Sequence, residues 1–324
     1  MEAFKCISAL LIHSSNLTIT DSKGRLPIHF AAACNQISTL AIFQTQGADL
    51  AAVDSSHRNI LHYATLFDHF SLAKWIIAQQ LPLKMEDSSL FTPLHFAVER
   101  SNYDLVSYLL SLPNIQQTKT ESGWTPLLFA AKSNNSEIFK LLLDHGGDIN
   151  ESNCQGETPL HWACFNGNLD MVKLCIQHGS HINQRTVKNQ TPLIFAVMND
   201  HTDLVHYLVA QGADPQIAGN DSWNPLHIAA DRGNSEVIDT LARTGMNLDV
   251  KDHDKRTALH LAVISNKPDA LKQLIASGAK KNLKDDGGNT PRSLATKLHH
   301  TNLIQYLMSE SEKTAIRQGF CYRG

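Results

Sequence analysis

Apolar positions along this chain come in pairs of short bursts. Near the centre, Pro159–Asn166 forms one burst; Gly167 interrupts it, and Leu169, Val172, Cys175 and Ile176 then recur at three- and four-residue spacing. That spacing lines one face of a helix. The pattern therefore predicts an inner helix at about Pro159–Asn166 and an outer helix at about Leu169–Gln177, stopped by Gly179. The first burst opens on Thr158-Pro159-Leu160-His161-Trp162-Ala163, and this phrase returns every 33 residues. Its copies start at Leu26, Asn59, Thr92, Thr125, Thr158, Thr191, Asn224, Thr257 and Thr290, without insertion or deletion. A fixed period of this length marks a repeat architecture.

Each copy reads as the start of a helix. Thr at the N-cap can accept from a backbone N–H, and Pro at the next position loses a donor the helix would not use. Ahead of it lies a polar turn, opened by Asp at Asp21, Asp54, Asp87, Asp252 and Asp285, with Gly two places before the phrase at Gly24, Gly123, Gly156 and Gly288. Gly there admits the backbone angles of a tight hairpin. Helices of about nine residues are too short to persist alone in water. Each must bury its apolar face on neighbouring units, so the expected class is all-α, built as a stack.

The expected organisation is a leading partial repeat at 1–20, units at 21–53, 54–86, 87–119, 120–152, 153–185, 186–218, 219–251, 252–284 and 285–310, and a loosely ordered tail at 311–324. Met1 and the two atypical end units read as those of a complete chain. Gln80 and Pro113 stand where other units end a helix with Gly, so the loops after the second and third units should turn differently. Over about residues 2–310 the chain resembles the ankyrin-repeat family. The resemblance is carried by Thr-Pro-Leu-His-x-Ala, by the endings Gly47-Ala48-Asp49 and Gly212-Ala213-Asp214, and by the uniform length. It implies a solenoid of about nine units, each a β-turn finger followed by two antiparallel helices. It also implies binding of other proteins on the concave side, without catalysis. Leu26 and Asn59 in place of Thr, and Leu128 and Ile194 in place of His, should weaken single caps.

With the signature and outer-helix positions assigned to structure, the positions left to face a groove lie four, three and one residues before the Thr, and seven and eight after it. They hold Arg25, Arg58, Leu66, Phe67, Phe91, Arg100, Trp124, Phe165, Met198, Trp223, Arg232 and Arg256. Aromatic and Arg side chains dominate interface energetics. Phe91, Trp124, Phe165 and Trp223 would be anchors, and Arg58, Arg100 and Arg232 would choose acidic or carbonyl-bearing groups of an extended or helical partner segment. At 8–10 Å per layer the aromatic row would span roughly 40–50 Å. The other reading of these rings is that some pack on the next inner helix as core.

Composition narrows the functional classes. Hydrophobic residues make up 42% and charged residues 18%, with net charge −3 and pI near 6.6, so there is no general attraction to nucleic acid or anionic lipid. No run approaches the roughly 20 apolar residues of a membrane span. Cys6, Cys34, Cys154, Cys164, Cys175 and Cys321 lack a framework spacing and fit reduced thiols in a cytoplasm-like compartment. The nucleus, or host cytosol for a delivered bacterial effector, are the other compartments considered. His29, His62, His95, His161, His227 and His260 sit in the signature, where imidazole would bond backbone groups between units. The one metal or catalytic alternative is Cys154, His161, Cys164, Cys175 and His178, since zinc favours such ligands. Small-apolar packing is the competing role for its cysteines. No phosphate loop or catalytic motif appears. The reading is a monomeric adaptor, inhibitor or targeting subunit without cofactor; an effector that binds a host protein is the alternative.

Overall fold

The computed structural model describes residues 17–80, 86–113, 115, 117–220, 222–309 and 312. Most of the expected leading partial repeat, the segment 81–85 and all of the expected tail except Glu312 lie outside the described residues. Eighteen helices and no strand occur among the described residues. The chain divides into two compact blocks, Met1–Cys154 and Gln155–Gly324.

The N-terminal block holds α1 (Pro27–Ala33), α2 (Ile37–Thr45), α3 (Ile60–Leu66), α4 (Phe70–Ala78), α5 (Pro93–Glu99), α6 (Tyr103–Leu110), α7 (Pro126–Lys132) and α8 (Ser136–Asp144). The C-terminal block holds α9 (Pro159–Asn166), α10 (Leu169–Gln177), α11 (Pro192–Met198), α12 (Thr202–Ala210), α13 (Pro225–Arg232), α14 (Ser235–Arg243), α15 (Ala258–Ile264), α16 (Pro268–Ala276), α17 (Pro291–Lys297) and α18 (Thr301–Leu307). Odd-numbered helices are inner and even-numbered ones outer. Within each block every inner helix packs on its outer partner and on the next inner helix. The bounds of α9 and α10 are those the sequence pattern predicts.

Among the described residues no helix exceeds nine residues, and burial supplies what so short a helix lacks. In α6, Leu105, Val106 and Leu109 are sealed from solvent, and in α2 Leu40 and Phe43 are. Each such side chain contributes roughly 1.5–3 kcal/mol by leaving water. Caps do the rest. Where Leu128 and Ile194 replace His, the Thr125 and Thr191 hydroxyls accept from the Leu128 and Ile194 N–H groups at 3.2 and 3.4 Å. Asn59 does not weaken its cap: its Oδ1 accepts from the N–H groups of Leu61 and His62. Gln80 enters the left-handed region with φ of +61°. It therefore takes the conformation that Gly supplies elsewhere, contrary to the expectation for that residue.

Hairpins link the units on the opposite side. In the N-terminal block Ser55 N donates to Lys23 O, Ser88 N to Ser56 O, and Glu121 N to Ser89 O, at 2.8–3.0 Å. In the C-terminal block Val187 N donates to Gln155 O, Asn220 N to Lys188 O, and Asp286 N to Asp254 O. Gly123 shows how close this approach is, since a Cβ there would meet Asn153 Cα and Cys154 N at 3.0 Å.

Candidate binding groove

The residue opening each hairpin organises it. One side-chain oxygen of Asp21, Asp54, Asp87, Thr120, Thr186, Asp252 and Asp285 accepts the N–H four places on, from Arg25, Arg58, Phe91, Trp124, Gln190, Arg256 and Asn289 respectively. Where the opener is Asp, its second oxygen is free to place a side chain. Asp87 Oδ2 accepts from Arg58 Nε at 2.9 Å, and Asp252 Oδ2 accepts from Trp223 Nε1 at 3.2 Å and Arg256 Nε at 2.9 Å. Both carboxylates are fully covered, while the side chains they hold stay half-exposed.

Where the signature histidine is present, it joins its inner helix to the chain at or just before the next hairpin. Thr158 N donates to His161 Nδ1 at 3.1 Å, and His161 Nε2 lies 3.2 Å from the Gln190 carbonyl, which can only accept. The ring is therefore the neutral tautomer with its proton on Nε2. His95 repeats this between Thr92 N and the Trp124 carbonyl. Burial pushes both rings down to about 4, and it also lowers His29, His227 and His260. A second set tightens the outer edge: His69 Nε2 donates to Ala33 O, His201 Nε2 to Phe165 O and His300 Nδ1 to Val263 O.

In the N-terminal block the groove positions are largely filled by rings. Phe91 stacks 5.3 Å from Phe96 and 5.6 Å from Phe129, and Trp124 lies 5.1 Å from Phe129. Phe91 and Trp124 are half-buried, and Lys132 Nζ lies 4.6 Å over the Trp124 ring. Phe67 is exposed to 49% and stacks on Tyr63 at 6.4 Å. Arg58 is tied to Asp87 with its guanidinium over Phe96, whereas Arg100 is exposed without an ion pair among the described residues.

In the C-terminal block the groove is open. Phe165 is 44% exposed, with its edge toward Trp162. A cavity of about 470 Å³ lies between the hairpin at 186–190, the hairpin opened by Gly219, and helices α11 and α13. Ile194, Met198, Ile228 and Trp223 form its apolar walls, and Lys188, Asp231 and Arg232 give it charge. A second cavity, of about 520 Å³, is lined by Trp223, Asn220, His253, Asp254 and Arg256. Trp223 and Asn220 line both. The structure brings together Met198, Trp223, Arg232 and Arg256 from the predicted set. It also neutralises the two arginines: Arg232 pairs with Asp200 at 3.0 Å, and Arg256 with Asp252 and Asp254 at 2.9 and 2.7 Å.

Sequence reasoning missed the ring directly after the signature His. Phe30, Tyr63, Phe96 and Phe129 occupy it in the N-terminal block, and Trp162 and Phe195 in the C-terminal block; the 33-residue register would have found them. It also missed Lys188 and Gly219. The five-residue Cys/His set is dispersed in role. Cys164 and Cys175 are buried, Cys154 is exposed, both His161 nitrogens are engaged, and His178 Nδ1 donates to Leu174 O. Among the described residues no three His, Cys, Asp or Glu side chains converge to hold a metal. None of the described helices is long and apolar enough to cross a membrane.

A family profile described as "Ankyrin repeats (3 copies)" matches residues 82–153, 145–219, 193–285 and 259–320. No curated protein matches the chain.

Proposed function

The chain belongs to the ankyrin-repeat family, whose repeats mediate protein–protein interaction, and we propose that it is a non-enzymatic adaptor that docks a segment of another protein. In this reading the units are the nine at 21–310, the docking surface is the hairpin and inner-helix side, and the chain acts as a monomer. One observation carries it above the rest. Trp223 is held by its indole N–H to the buried Asp252 and lines two open cavities. A large, tethered aromatic that lines open pockets is the arrangement of an interface anchor.

The fixed geometry matters because little side-chain entropy remains to be lost when a partner arrives. Phe165 and Met198 extend the same exposed surface. In the other block, Phe67, Phe91, Arg58, Arg100 and Trp124 would offer a shallower, ring-filled face. Selecting displayed random peptides against the full chain tests the reading. Peptides should emerge that bind the wild type and bind Trp223→Ala at least about tenfold more weakly, with helical content unchanged. Selected peptides that ignore Trp223→Ala would refute it.

A further inference from the structure

The cavity beside Trp223 opens where two repeat positions lapse together. Ile194 stands where other units carry the signature His, and Gly219 stands where they carry the hairpin-opening Asp, Thr or Asn. Both residues line the cavity. At Phe91, Trp124, Gln190 and Asn289 the opener accepts the residue's N–H from four places back, and the preceding signature histidine donates to its carbonyl. At Trp223 both partners are missing. Its carbonyl accepts from Gly219 N, but its backbone N–H has no acceptor among the described residues, unlike its indole N–H, which Asp252 accepts. On the same rim Lys188 is exposed and makes no ion pair among the described residues, whereas Arg232 is already matched to Asp200 and Asp231 accepts from Ser265 Oγ.

A backbone donor and an ammonium, both on residues that line one cavity and both without a partner among the described residues, call for a single kind of group, a carboxylate. Resting on the docking function above, we propose that this cavity takes an acidic side chain from the partner segment. That Asp or Glu restores in trans the acceptor that Gly219 does not provide, receiving the Trp223 N–H and pairing with Lys188. The apolar walls of Ile194, Met198 and Ile228 enclose its methylene stem. The acidic side chain is then a specificity element, and Trp223 is the anchor next to it.

Gly219→Asp tests this directly, because it supplies the carboxylate in cis. Gly219 has no left-handed φ, and a Cβ there meets nothing nearer than Lys188 O at 3.5 Å, so the substitution fits the backbone. Peptides selected as above from the full wild-type chain should share an Asp or Glu. Exchange of that residue for Asn or Gln should weaken binding at least about tenfold. Gly219→Asp should bind the same peptides at least about tenfold more weakly while melting at or above the wild-type temperature. Lys188→Glu, a surface change, should lose affinity for the acidic peptide and regain it when the peptide residue becomes Lys. Peptides that depend on Trp223 yet lack a shared acidic residue, or that bind Gly219→Asp and Lys188→Glu as well as the wild type, would overturn the proposal and leave the docking function standing. Peptides indifferent to Trp223→Ala would remove both.

Discussion

Acidification should unstitch the stack well before its carboxylates titrate. His95 and His161 each receive a backbone N–H at Nδ1 and donate from Nε2 to a carbonyl. A proton on Nδ1 would break the bond from the backbone N–H and put a charge on a buried ring, so the folded protein favours the neutral form. Burial holds both near 4 against an ordinary value of 6.5. Between those values the unfolded chain binds more protons than the folded one, so stability falls as pH drops through the window from 6.5 toward 4. Moving from about pH 7.5 to about pH 5.5 should cost about 1.3 kcal/mol per histidine. One of the two lies in each block, so both blocks should respond. Urea unfolding followed by far-ultraviolet circular dichroism at several pH values measures this. Asp21 and Glu312, held at about 2 by Arg25 and Arg292, stay outside the window. The sequence itself carries Leu128 and Ile194 at this position, so His95→Leu with His161→Leu should fold, with lower absolute stability and a flatter pH response. A wild-type midpoint that is constant from about pH 7.5 to about pH 5.5 would refute the reasoning.

Other consequences can be measured independently. Leu90 has a φ of +62° at the position where other hairpins use Gly, so Leu90→Gly should raise the unfolding midpoint by a net gain of about 0.5 kcal/mol, strain relief outweighing added chain entropy. Gly123→Ala should do the reverse, losing about 1–3 kcal/mol, because its φ of +78° and the Asn153 backbone at 3.0 Å both oppose a Cβ. Removing the hub with Asp252→Ala should lower the melting temperature and weaken peptide capture as strongly as Trp223→Ala, since the indole loses its tether. Thiol labelling mapped by mass spectrometry should modify Cys154 promptly. Burial pushes the Cys175 thiol up to about 12 and raises Cys164 further from reactivity, so these two should label only on unfolding.

The period made most of the fold legible. Thr158, Pro159, Gly167 and Gly179 mark the ends of α9 and α10 by local chemistry alone, and the imidazole bridges follow from His recurring in phase. What escaped is what depends on residues meeting across units. Arg58 and Arg232 read as unengaged cations because the carboxylates that neutralise them lie elsewhere in the sequence, with Asp87 29 residues beyond Arg58 and Asp200 32 before Arg232. The rings of Phe96 and Phe129 recur in the 33-residue register, but only packing shows that they fill the groove beside Phe91 and Trp124. The opening at Trp223 needs Ile194 and Gly219 to face one another, and each alone reads as a minor lapse.

The imidazole bridges share one more property. His62, His95, His161 and His260 each reach a carbonyl 29 residues further on. A ring closed over so short a stretch of chain costs little entropy, and a protein made of such rings has low contact order. Growth can begin at any unit and proceed in either direction. On the ribosome, the hairpin that emerges after a His-bearing helix completes the bridge that helix began, so the nascent chain can be assembled in sequence rather than waiting for its far end.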